Sequence, residues 1–240
     1  MKIALSELDK NRFGVTTAKI SIDAQDDIEE IICWCEEKKV EMLIARCPTD
    51  YINSVQKMES LGFYLTDTLV YYKNKEIVNT HNVIPPGYDW RLATIEDADT
   101  VGRLAGRSFS NYFGHYHADP KLNKSDADQV YSSWAANSCR GNFFSDPVFL
   151  ICQKEQIVAF LAMKKIDSNG CEIVLNGVDP LFQNFGLYSA LISTAKNWSW
   201  ENKHEYLLVS TQITNIAPQK VWCRHGFEPS NSFYTFHKWF

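Results

Sequence analysis

The sequence predicts an α/β (α+β) fold in which a central mixed, mostly antiparallel twisted sheet is flanked by helices. Three observations lead to this prediction. Three strands follow one another closely in the second half of the chain, separated by the turn formers "KE" and "DSNG". An amphipathic helix and a further strand come next. A fainter series of similar elements fills the first half, so we expect a smaller N-terminal half before the main sheet.

Composition limits the class of protein. The 240 residues are enough for one large domain or two small ones. Hydrophobic residues make up 45% of the chain and aromatic residues 13%, which is typical of a folded globular protein. No apolar run approaches the ~18 residues that span a membrane, and acidic residues appear too early for a secretory signal. The net charge of −5 argues against a nucleic-acid-binding protein.

Cysteine usage predicts the compartment. The chain has seven cysteines, an odd number, with no CxxC pair and no cysteine–histidine spacing typical of zinc. We therefore expect reduced, mostly buried thiols in a cytoplasmic protein and no metal site. The cysteines are Cys33, Cys35, Cys47, Cys139, Cys152, Cys171 and Cys223.

The first half ends at a seam in residues 74–90, where Pro85-Pro86-Gly87 cannot continue a helix or a central strand. This seam predicts two domains, 1–84 and 85–240. Along the first domain we expect a strand, a helix, a strand, a helix and a strand. The expected ranges are 14–22, 24–39, 41–47, 49–61 and 69–73.

The two halves resemble each other in one place. "MESLGFYLTDTLVYYK" and "CRHGFEPSNSFYTFHK" both run from a helix through Gly-Phe and a short loop into an aromatic strand. We interpret the first half as a degenerate structural copy that supports the sheet without chemistry. Chance similarity is the alternative.

The second half predicts its elements more clearly. Thr94 and Asp97 have capping-box spacing for a first helix, and Ser125 is a candidate cap for a second. Asp179-Pro180 ends the third strand, and Gly226 has the position of a left-handed cap after a short helix. The expected strands are 148–153, 156–165, 171–178, 205–213 and 232–240, and the later helices are 187–201 and 217–225.

The loop "DPLFQNFGL" carries the clearest chemistry. Gln183 and Gly186 lie between a strand and an amphipathic helix. Backbone N–H groups at a helix start have no intrahelical partner, and the helix dipole is positive there. Gly186 lacks a Cβ, so a phosphate could approach the backbone closely. The order of strand, loop, helix and strand therefore indicates a pyrophosphate site more strongly than the Gln-x-x-Gly spacing alone.

At these residues the chain resembles the GNAT N-acyltransferase superfamily. The family motif [Q/R]-x-x-G-x-[G/A] stands here as Gln183-Asn184-Phe185-Gly186-Leu187-Tyr188, and Tyr188 departs from the small residue usual at the last position. The resemblance implies a GNAT fold, with a degenerate GNAT-like first half, and acyl-CoA as co-substrate. In the family, pantetheine lies between two splayed strands. The implied CoA-binding residues are Asn176, Val178, Gln183, Asn184, Phe185, Gly186, Leu187, Tyr188, Ser189, Thr211 and Asn215.

A closer resemblance covers nearly the whole chain. It is to acyltransferases of the TDP-fucosamine acetyltransferase type, which act on nucleotide-linked amino sugars. The matching segments are "RFGVTTAKI", "LGFYL", "FSNYFGHY", "DQVYSSWAAN" and "STQITNIAPQKVWCRHGF". This resemblance implies transfer of an acetyl group, or a larger acyl such as hydroxybutyryl, to a dTDP-linked aminodideoxyhexose for surface polysaccharide biosynthesis. The implied acceptor-binding residues are Tyr112, Phe113, His115, Tyr116 and Trp134, with Arg107, Lys121 or Lys124 as candidates for the second pyrophosphate.

The candidate catalytic residues remain alternatives at this point. By strand position the resemblance implies Glu172 as the general base, while His115 and His117 are rivals because histidine titrates near neutral pH. Many family members place a tyrosine acid where this chain has Trp222, which cannot usefully transfer its proton. Either the thiolate leaves without a side-chain acid or another hydroxyl substitutes; Trp222 is then a wall of the acyl pocket or a core aromatic.

Two other functions are consistent with the sequence. The acceptor amine could instead belong to a protein N-terminus, a lysine or a polyamine. Alternatively, the missing tyrosine and the unusual Tyr188 could mark a non-catalytic acyl-CoA-binding protein. A homodimer is possible, since many such enzymes dimerise, but no segment of the sequence predicts an interface.

Overall fold

The computed structural model describes residues 2–79, 84–141 and 146–240. The strands are β1 (Ile3–Leu5), β2 (Thr17–Ser21), β3 (Met42–Pro48), β4 (Tyr64–Asn74), β5 (Asp89–Leu92), β6 (Val148–Gln153), β7 (Gln156–Lys165), β8 (Gly170–Val178), β9 (Tyr206–Gln212) and β10 (Glu228–Trp239). The α-helices are α1 (Glu7–Phe13), α2 (Ile28–Glu37), α3 (Ile52–Ser60), α4 (Ala98–Ser108), α5 (His115–Ala118), α6 (Lys124–Cys139), α7 (Leu187–Glu201) and α8 (Ile216–Arg224).

These elements form two units. The first unit comprises Met1–Val70, Phe113–Ala127 and Asn231–Phe240. The second comprises Tyr71–Tyr112 and Asp128–Ser230. Each unit therefore draws on residues from both sides of the seam at 74–90, of which residues 80–83 lie outside the described ranges. The proposed division into a degenerate N-terminal copy (1–84) and a catalytic domain (85–240) stays a prediction.

The first unit has the strand order β1-β2-β3-β10-β4. β2 and β3 are parallel, whereas β1 with β2 and β3 with β10 are antiparallel. One face of this sheet is apolar and packs with α2 and α3 into a hydrophobic core. Burial of alternate residues explains the strands, because every second side chain faces that core. Strand residues in this core are Ala18, Ile20, Leu43, Ala45, Cys47 and Phe236.

The second unit has the strand order β4-β9-β8-β7-β6-β5. Neighbours from β5 to β8 are antiparallel, and β8 with β9 is parallel. The mixed, mostly antiparallel sheet predicted from the sequence is confirmed. Helices α4 and α7 both pack against β7 and β8. A hydrophobic core joins α4 and α6 to β6, β7 and β8; its larger members are Val101, Leu104, Leu150, Phe160 and Leu175.

The start of α4 agrees with the sequence prediction, and the start of α6 does not. Thr94 and Asp97 form a capping box around a 3₁₀ turn that leads into α4. The proposed cap at Ser125 is wrong, because Asn123 caps α6: its Oδ1 accepts a hydrogen bond of 2.8 Å from the Ser125 N–H. An asparagine at the N-cap accepts a hydrogen bond from the second helical N–H as well as a serine does. The α7 bounds agree with the predicted 187–201.

All seven cysteines lie in the described ranges, where their sulfurs form no disulfide and four of them are buried. Burial raises the pKa of Cys35 to about 12 and that of Cys47 to about 11, so these thiols stay protonated and unreactive at neutral pH. Among the described residues, no cluster of three or more histidine, cysteine or acidic side chains could hold a metal ion. None of the described helices combines the length and apolarity needed to cross a membrane.

Candidate active site

The parallel pairing of β8 and β9 stops before either strand ends, and we call the unpaired stretch beyond it the cleft. Their parallel ladder begins at Gly170 opposite Tyr206 and ends at Ile173 opposite Val209. β8 continues to Val178 beyond that last pair, and β9 continues to Gln212. Backbone groups along these facing edges therefore lie outside the ladder and need other partners. An extended ligand with amide groups can supply them.

A bulge in β8 accompanies the end of the ladder. Leu175 pairs with Ala162 of β7, whereas Ile173 pairs with the next residue, Met163, so Val174 is extra on β8. In a regular strand, Cys171 and Gly177 would face the same side because they are six residues apart. Instead the Cys171 Sγ lies 3.1 Å from a hydroxyl of α7, while Gly177 faces α4. The bulge therefore turns the strand where the cleft begins, as bulges near functional sites often do.

Gly177 shows how closely β8 and α4 approach beyond the bulge. A Cβ at Gly177 would lie 2.9 Å from the Phe160 Cε1 and 3.0 Å from the Ser108 Cβ, closer than carbon atoms tolerate. Only glycine fits between the strand and the helix at this point. The sequence "LNGV" thus keeps the cleft edge close to α4 over the two proposed pantetheine contacts, Asn176 and Val178.

The loop after β8 has the geometry of an anion site. Asn184 and Gly186 have positive φ angles of 68° and 78°. The first helical hydrogen bond of α7 runs from the Ala190 N–H to the Gly186 oxygen, 3.0 Å away, and no described side chain caps the helix. The N–H groups of residues 187–189 therefore lack intrahelical partners. A Cβ added at Gly186 would come no closer than 3.8 Å to the described atoms around it, at the Pro85 Cγ, so the backbone is accessible.

An ion pair between Arg107 and Asp179 holds the start of this loop. The buried Asp179 accepts hydrogen bonds of 2.9 and 2.6 Å from the Arg107 guanidinium of α4. Its other oxygen accepts a bond of 3.1 Å from the Leu181 N–H. Arg107 was a candidate for a substrate pyrophosphate, and in the structure it holds the loop. The other two candidates, Lys121 and Lys124, belong to the first unit.

The opposite wall of the cleft is built by the turn from β9 into α8. The Asn215 side chain donates to the Thr211 hydroxyl at 2.9 Å, so two predicted CoA contacts are held together. Gln219 was not predicted from the sequence. Its amide donates to the backbone oxygens of Gln212, Ile213 and Asn215. A glutamine one turn into a helix after a polar loop was the available signal.

Trp222 and Tyr188 are joined by a hydrogen bond. The indole Nε1 of Trp222 donates to the Tyr188 hydroxyl at 2.9 Å. Trp222 is only 1% exposed and packs against Tyr72, with ring centroids 5.4 Å apart. Burial raises the pKa of Tyr188, so this hydroxyl stays protonated. The bond therefore joins Tyr188, which departs from the family motif, to Trp222, which lies where many family members have a tyrosine.

Glu172 lies in the closed part of the β8–β9 ladder. It is opposite Lys164 of β7 and Leu208 of β9, two residues before the bulge. Its side chain is half-buried and has interactions of its own. The structure therefore places this candidate base on the strand that forms the cleft, but before the cleft opens.

Two predicted acceptor-binding aromatics belong to the second unit. Tyr112 meets Phe109 and Tyr131 edge-on, with centroid distances of 5.4 and 5.0 Å. Phe109 and Tyr131 are stacked at 4.5 Å. Trp134 is half-buried and packs against the core of this unit. The second unit thus has an aromatic cluster where α4 ends and α6 passes.

The remaining predicted acceptor residues belong to the first unit. Phe113 is 60% exposed, and Tyr116 is buried. The His115 Nδ1 lies 2.9 Å from the His237 Nε2. The other rival base, His117, holds the start of α5, because its Nδ1 accepts a bond of 3.1 Å from the Gly114 N–H. The five predicted acceptor contacts are therefore divided between the two units.

Comparison with known proteins agrees with this architecture. A GCN5-related N-acetyltransferase from Sphaerobacter thermophilus superposes with a TM-score of 0.64 at 9% identity, over 99% of this chain and 76% of the other. A tandem GNAT protein from the clavulanic acid biosynthesis pathway superposes with a TM-score of 0.63 at 11% identity, over 94% and 76% of the two chains. At these identities the likeness shows the fold.

One curated relative matches by sequence. It is the spore coat polysaccharide biosynthesis protein SpsD from Bacillus subtilis (strain 168), 23% identical over 156 residues. The match covers 65% of this chain and 52% of SpsD, so it spans about half the length of that relative. Residues 110–227 match the model of the acetyltransferase (GNAT) family. That matched segment contains the motif loop and both strands of the cleft, and the fold shared with solved GNAT proteins agrees with it.

Proposed function

We propose that this protein transfers an acyl group from acyl-CoA to a primary amine. One observation carries the proposal: the β8–β9 ladder ends at Ile173 and Val209, and the strand that borders the cleft leads into a helix that no described side chain caps. A thioester carrier with an amide-bearing arm and a diphosphate matches both features. Its arm needs backbone partners, and its diphosphate needs N–H donors.

The chain supplies a distinct group for each part of the carrier. The backbone of Asn176 and Val178 would bind the pantetheine amides along the edge of β8. The N–H groups that follow Gly186 would bind the diphosphate, where the helix dipole favours negative charge. Thr211 and Asn215, joined by their hydrogen bond, would line the other side. The proposed loop contacts are Gln183, Asn184, Phe185, Gly186, Leu187, Tyr188 and Ser189.

The proposed reaction is direct transfer in a ternary complex. A neutral amine attacks the thioester carbonyl, the carbon–nitrogen bond forms, and the carbon–sulfur bond breaks as CoA thiolate leaves. The amine loses one proton to a base, and the thiolate gains one from solvent or a nearby hydroxyl. Because a thiol has a pKa of about 8.5, its anion is a good leaving group without a side-chain acid. Backbone N–H groups beside the cleft can stabilise the tetrahedral oxyanion.

We propose Glu172 as the base and His115 as its rival. Glu172 lies on the strand that borders the cleft. His115 has a depressed pKa because of its burial and the neighbouring cationic charge, so it is neutral at pH 7 and able to accept a proton. For Trp222 we propose a positioning role toward Tyr188, since its N–H is already engaged.

The proposed acceptor is a dTDP-linked aminodideoxyhexose used in surface polysaccharide biosynthesis in the cytoplasm. The name of SpsD, a spore coat polysaccharide biosynthesis protein, supports a sugar over a peptide. Aromatic side chains among the predicted acceptor contacts, such as Tyr112 and Trp134, suit a nucleobase and a deoxysugar face. The acyl group is acetyl or a larger chain such as hydroxybutyryl.

The test is turnover by the purified chain. Acetyl-CoA and hydroxybutyryl-CoA are each incubated with dTDP-3-amino- and dTDP-4-amino-dideoxyhexoses, and free thiol is measured. Thiol release that depends on the amino sugar, with the acylated sugar found by mass spectrometry, supports the proposal. Release with lysine peptides or polyamines but not with the sugars would replace the acceptor and keep the acyl transfer.

One structural observation favours a second candidate, a non-catalytic acyl-CoA-binding protein. The position of the family tyrosine holds Trp222, and the neighbouring hydroxyl of Tyr188 accepts its N–H. The indole cannot usefully transfer its proton, and the Tyr188 hydroxyl already accepts a hydrogen bond from it. Calorimetric binding of acetyl-CoA together with no thiol release from any amine would favour this candidate.

A further inference from the structure

The sheet of the first unit has one polar face. Two neighbouring rows cross β2, β3 and β10 on this face: Lys19, Ile44 and His237, then Ser21, Arg46 and Thr235. The opposite face carries the apolar core. A sheet normally buries its two faces against apolar layers or leaves one to water. This face does neither, because charged, imidazole and hydroxyl groups lie on it and α1 and α5 provide further polar partners.

Among the described residues, Asp9 and Asp119 are the carboxylates bonded to groups of this face, and both already have several hydrogen-bond donors. Asp9 forms an ion pair with Lys19 and accepts bonds from the Ser6 and Tyr116 hydroxyls at 2.6 and 2.8 Å. Its pKa is lowered by Lys19 and these hydroxyls, against the opposing effect of burial. Asp9 therefore stays ionised and is fully engaged, so it does not neutralise a second cation.

The second carboxylate, Asp119, is engaged in the same way. It accepts hydrogen bonds from the His237 Nδ1 and the Tyr64 hydroxyl, both 2.6 Å away, and from the Trp239 indole at 3.0 Å. Within the described part of the chain, the guanidinium of Arg46 has no hydrogen bond or ion pair. Among its described residues, the polar face thus carries an exposed, uncompensated cation.

Thr235 adds an unpaired hydroxyl beside that cation. It lies directly opposite Arg46 in the β3–β10 register. Its side chain is completely buried, and its Oγ1 has no hydrogen-bond partner among the described residues. Leaving a buried polar group unpaired costs about 1–3 kcal/mol, so a water or ligand atom that reached this hydroxyl would be stabilised by it.

A chain of hydrogen bonds, which we call the relay, runs from Asp119 through His237 to His115 on the same polar face. Asp119 binds the His237 Nδ1, and the His237 Nε2 lies 2.9 Å from the His115 Nδ1. When His237 is neutral, His115 donates inward and its Nε2 presents a lone pair. When His237 takes one proton, it donates to His115, and the His115 Nε2 becomes a donor. An anion at His115 favours the second arrangement.

We propose that Arg46, His115 and Thr235 form a binding site for a phosphate-bearing small molecule on the first unit. The guanidinium fork pairs with phosphate oxygens, and the imidazole and hydroxyl donate to the others. Binding takes up a proton, because the relay converts His115 into a donor and places the positive charge on His237 beside Asp119. This site shares His115 with the proposed function, whereas Arg46 and Thr235 take no part in the proposed acyl transfer, and testing it by binding does not require turnover.

The charges around His115 support this direction of proton transfer. Burial and the charges of His237, Arg46 and Lys19 keep the pKa of His115 well below its ordinary value. A bound dianion offsets those positive charges and favours an added proton on the hydrogen-bonded His115–His237 pair, so uptake of a proton accompanies binding. The groups that act on His115 are Lys19, Arg46, Tyr116, His117 and His237. Asp9 and Arg12 act on Tyr116, and Tyr64 and Asp119 contact His237.

The test is a calorimetric titration of the full chain with sodium pyrophosphate. We expect saturable binding, and a loss of affinity of about tenfold or more in Arg46→Ala, as for a hydrogen bond to a charged group. Arg46→Lys should recover part of it. The matched control is Lys57→Ala on α3, whose ammonium pairs with Glu29 and belongs to the same unit. Circular dichroism checks that each variant is folded.

Proton uptake is measured by repeating the titration at pH 7.5 in PIPES and in Tris, which differ in ionisation enthalpy. The observed heat should differ between the two buffers for the wild type and should not differ for His115→Gln. Unchanged affinity in Arg46→Ala, or no saturable heat in the wild type, would overturn the proposal. So would affinity that depends on Gly186 and not on Arg46, since pyrophosphate would then bind at the start of α7. Equal binding of acetate would overturn the preference for phosphate.

Discussion

The Trp222 indole donates a hydrogen bond of 2.9 Å to the Tyr188 hydroxyl and so joins α8 to the first turn of α7. Each residue is unusual alone, because GNAT sequences favour a small residue at the position of Tyr188 and a tyrosine at that of Trp222. Together they form a satisfied buried pair. The two departures are therefore one structural change, and they fix the helix whose N–H groups we assign to the CoA diphosphate.

Tyr188→Phe should destabilise the protein by about 1–3 kcal/mol, because the buried indole N–H then has no acceptor. Trp222→Phe should also destabilise it. The double variant should lose less than the sum of the two, by about 0.5–3 kcal/mol. Urea unfolding gives all three values. Trp200→Phe, on the exposed side of α7, is the control, and strict additivity of the pair would contradict the coupling.

Gly186→Val should weaken acyl-CoA binding by two effects. Its φ of 78° is in the left-handed region, which costs a β-branched residue about 1–2 kcal/mol. Its side chain also stands where the diphosphate would approach. We expect KM for acetyl-CoA to rise at least about tenfold, with kcat less affected. Gly186→Asn, which tolerates this φ, should lie between Val and the wild type. Equal KM values in a folded Val variant would contradict the site.

Arg107→Gln should loosen the loop that leads to α7. The buried Asp179 would keep its bond to Leu181 and lose the guanidinium. Because Arg107 is half exposed, we expect a loss of about 1–3 kcal/mol rather than the larger loss of a fully buried pair. KM for acyl-CoA should rise as well. Arg103→Gln on the same helix is the control; if both variants behave alike, the pair does not set the loop.

Stability should fall in mild acid because of His204. This side chain is 7% exposed, and neither ring nitrogen has a hydrogen-bond partner within the described residues. Burial lowers its pKa in the folded state, so the unfolded state binds more protons below about pH 6.5 and the free energy of unfolding falls there. His204→Leu should raise stability and flatten this decline. An unchanged pH slope between pH 7 and 5 would exclude His204 as its source.

The base is identified by pH–rate profiles of Glu172→Gln and His115→Gln. If Glu172 is the base, its variant should lower kcat by about 10²–10⁴-fold and lose the acidic limb of the profile. His115→Gln should then retain that limb. The reverse pattern would make His115 the base. Because Glu172 lies before the bulge, an intervening water is expected, and a solvent isotope effect on kcat should accompany its role.

Local patterns predicted elements of both units, since β2, α2, β3 and α3 overlap the expected ranges 14–22, 24–39, 41–47 and 49–61. Strands β6 to β8 and helix α7 follow from alternation, turn formers and one apolar stripe, all within short segments. The bulge at Val174 has no local signal, because "EIVLNGV" reads as an uninterrupted strand. The loop at Gly186 was readable from its motif, whereas its support by Arg107 depends on a helix distant in sequence.

The polar face of the first unit could not be predicted for the same reason. Its relay joins Asp119 and His115 to His237, which comes from the last strand. No spacing rule connects side chains that far apart along a chain. Local sequence places His115 in an aromatic loop and His237 in the last strand of the predicted catalytic domain, so nothing in it brings the two histidines together.

Strand β10 has a consequence for biosynthesis. Phe233 to Trp239 pair with Pro48 to Met42, so the early-synthesised β3 has its antiparallel neighbour near the end of the sequence. Until β10 has been synthesised, β3 has an unpaired apolar edge on that side. Nascent chains will therefore expose the apolar edge of β3 while the second unit is translated. We expect the first unit to complete its folding last and to depend more on chaperones.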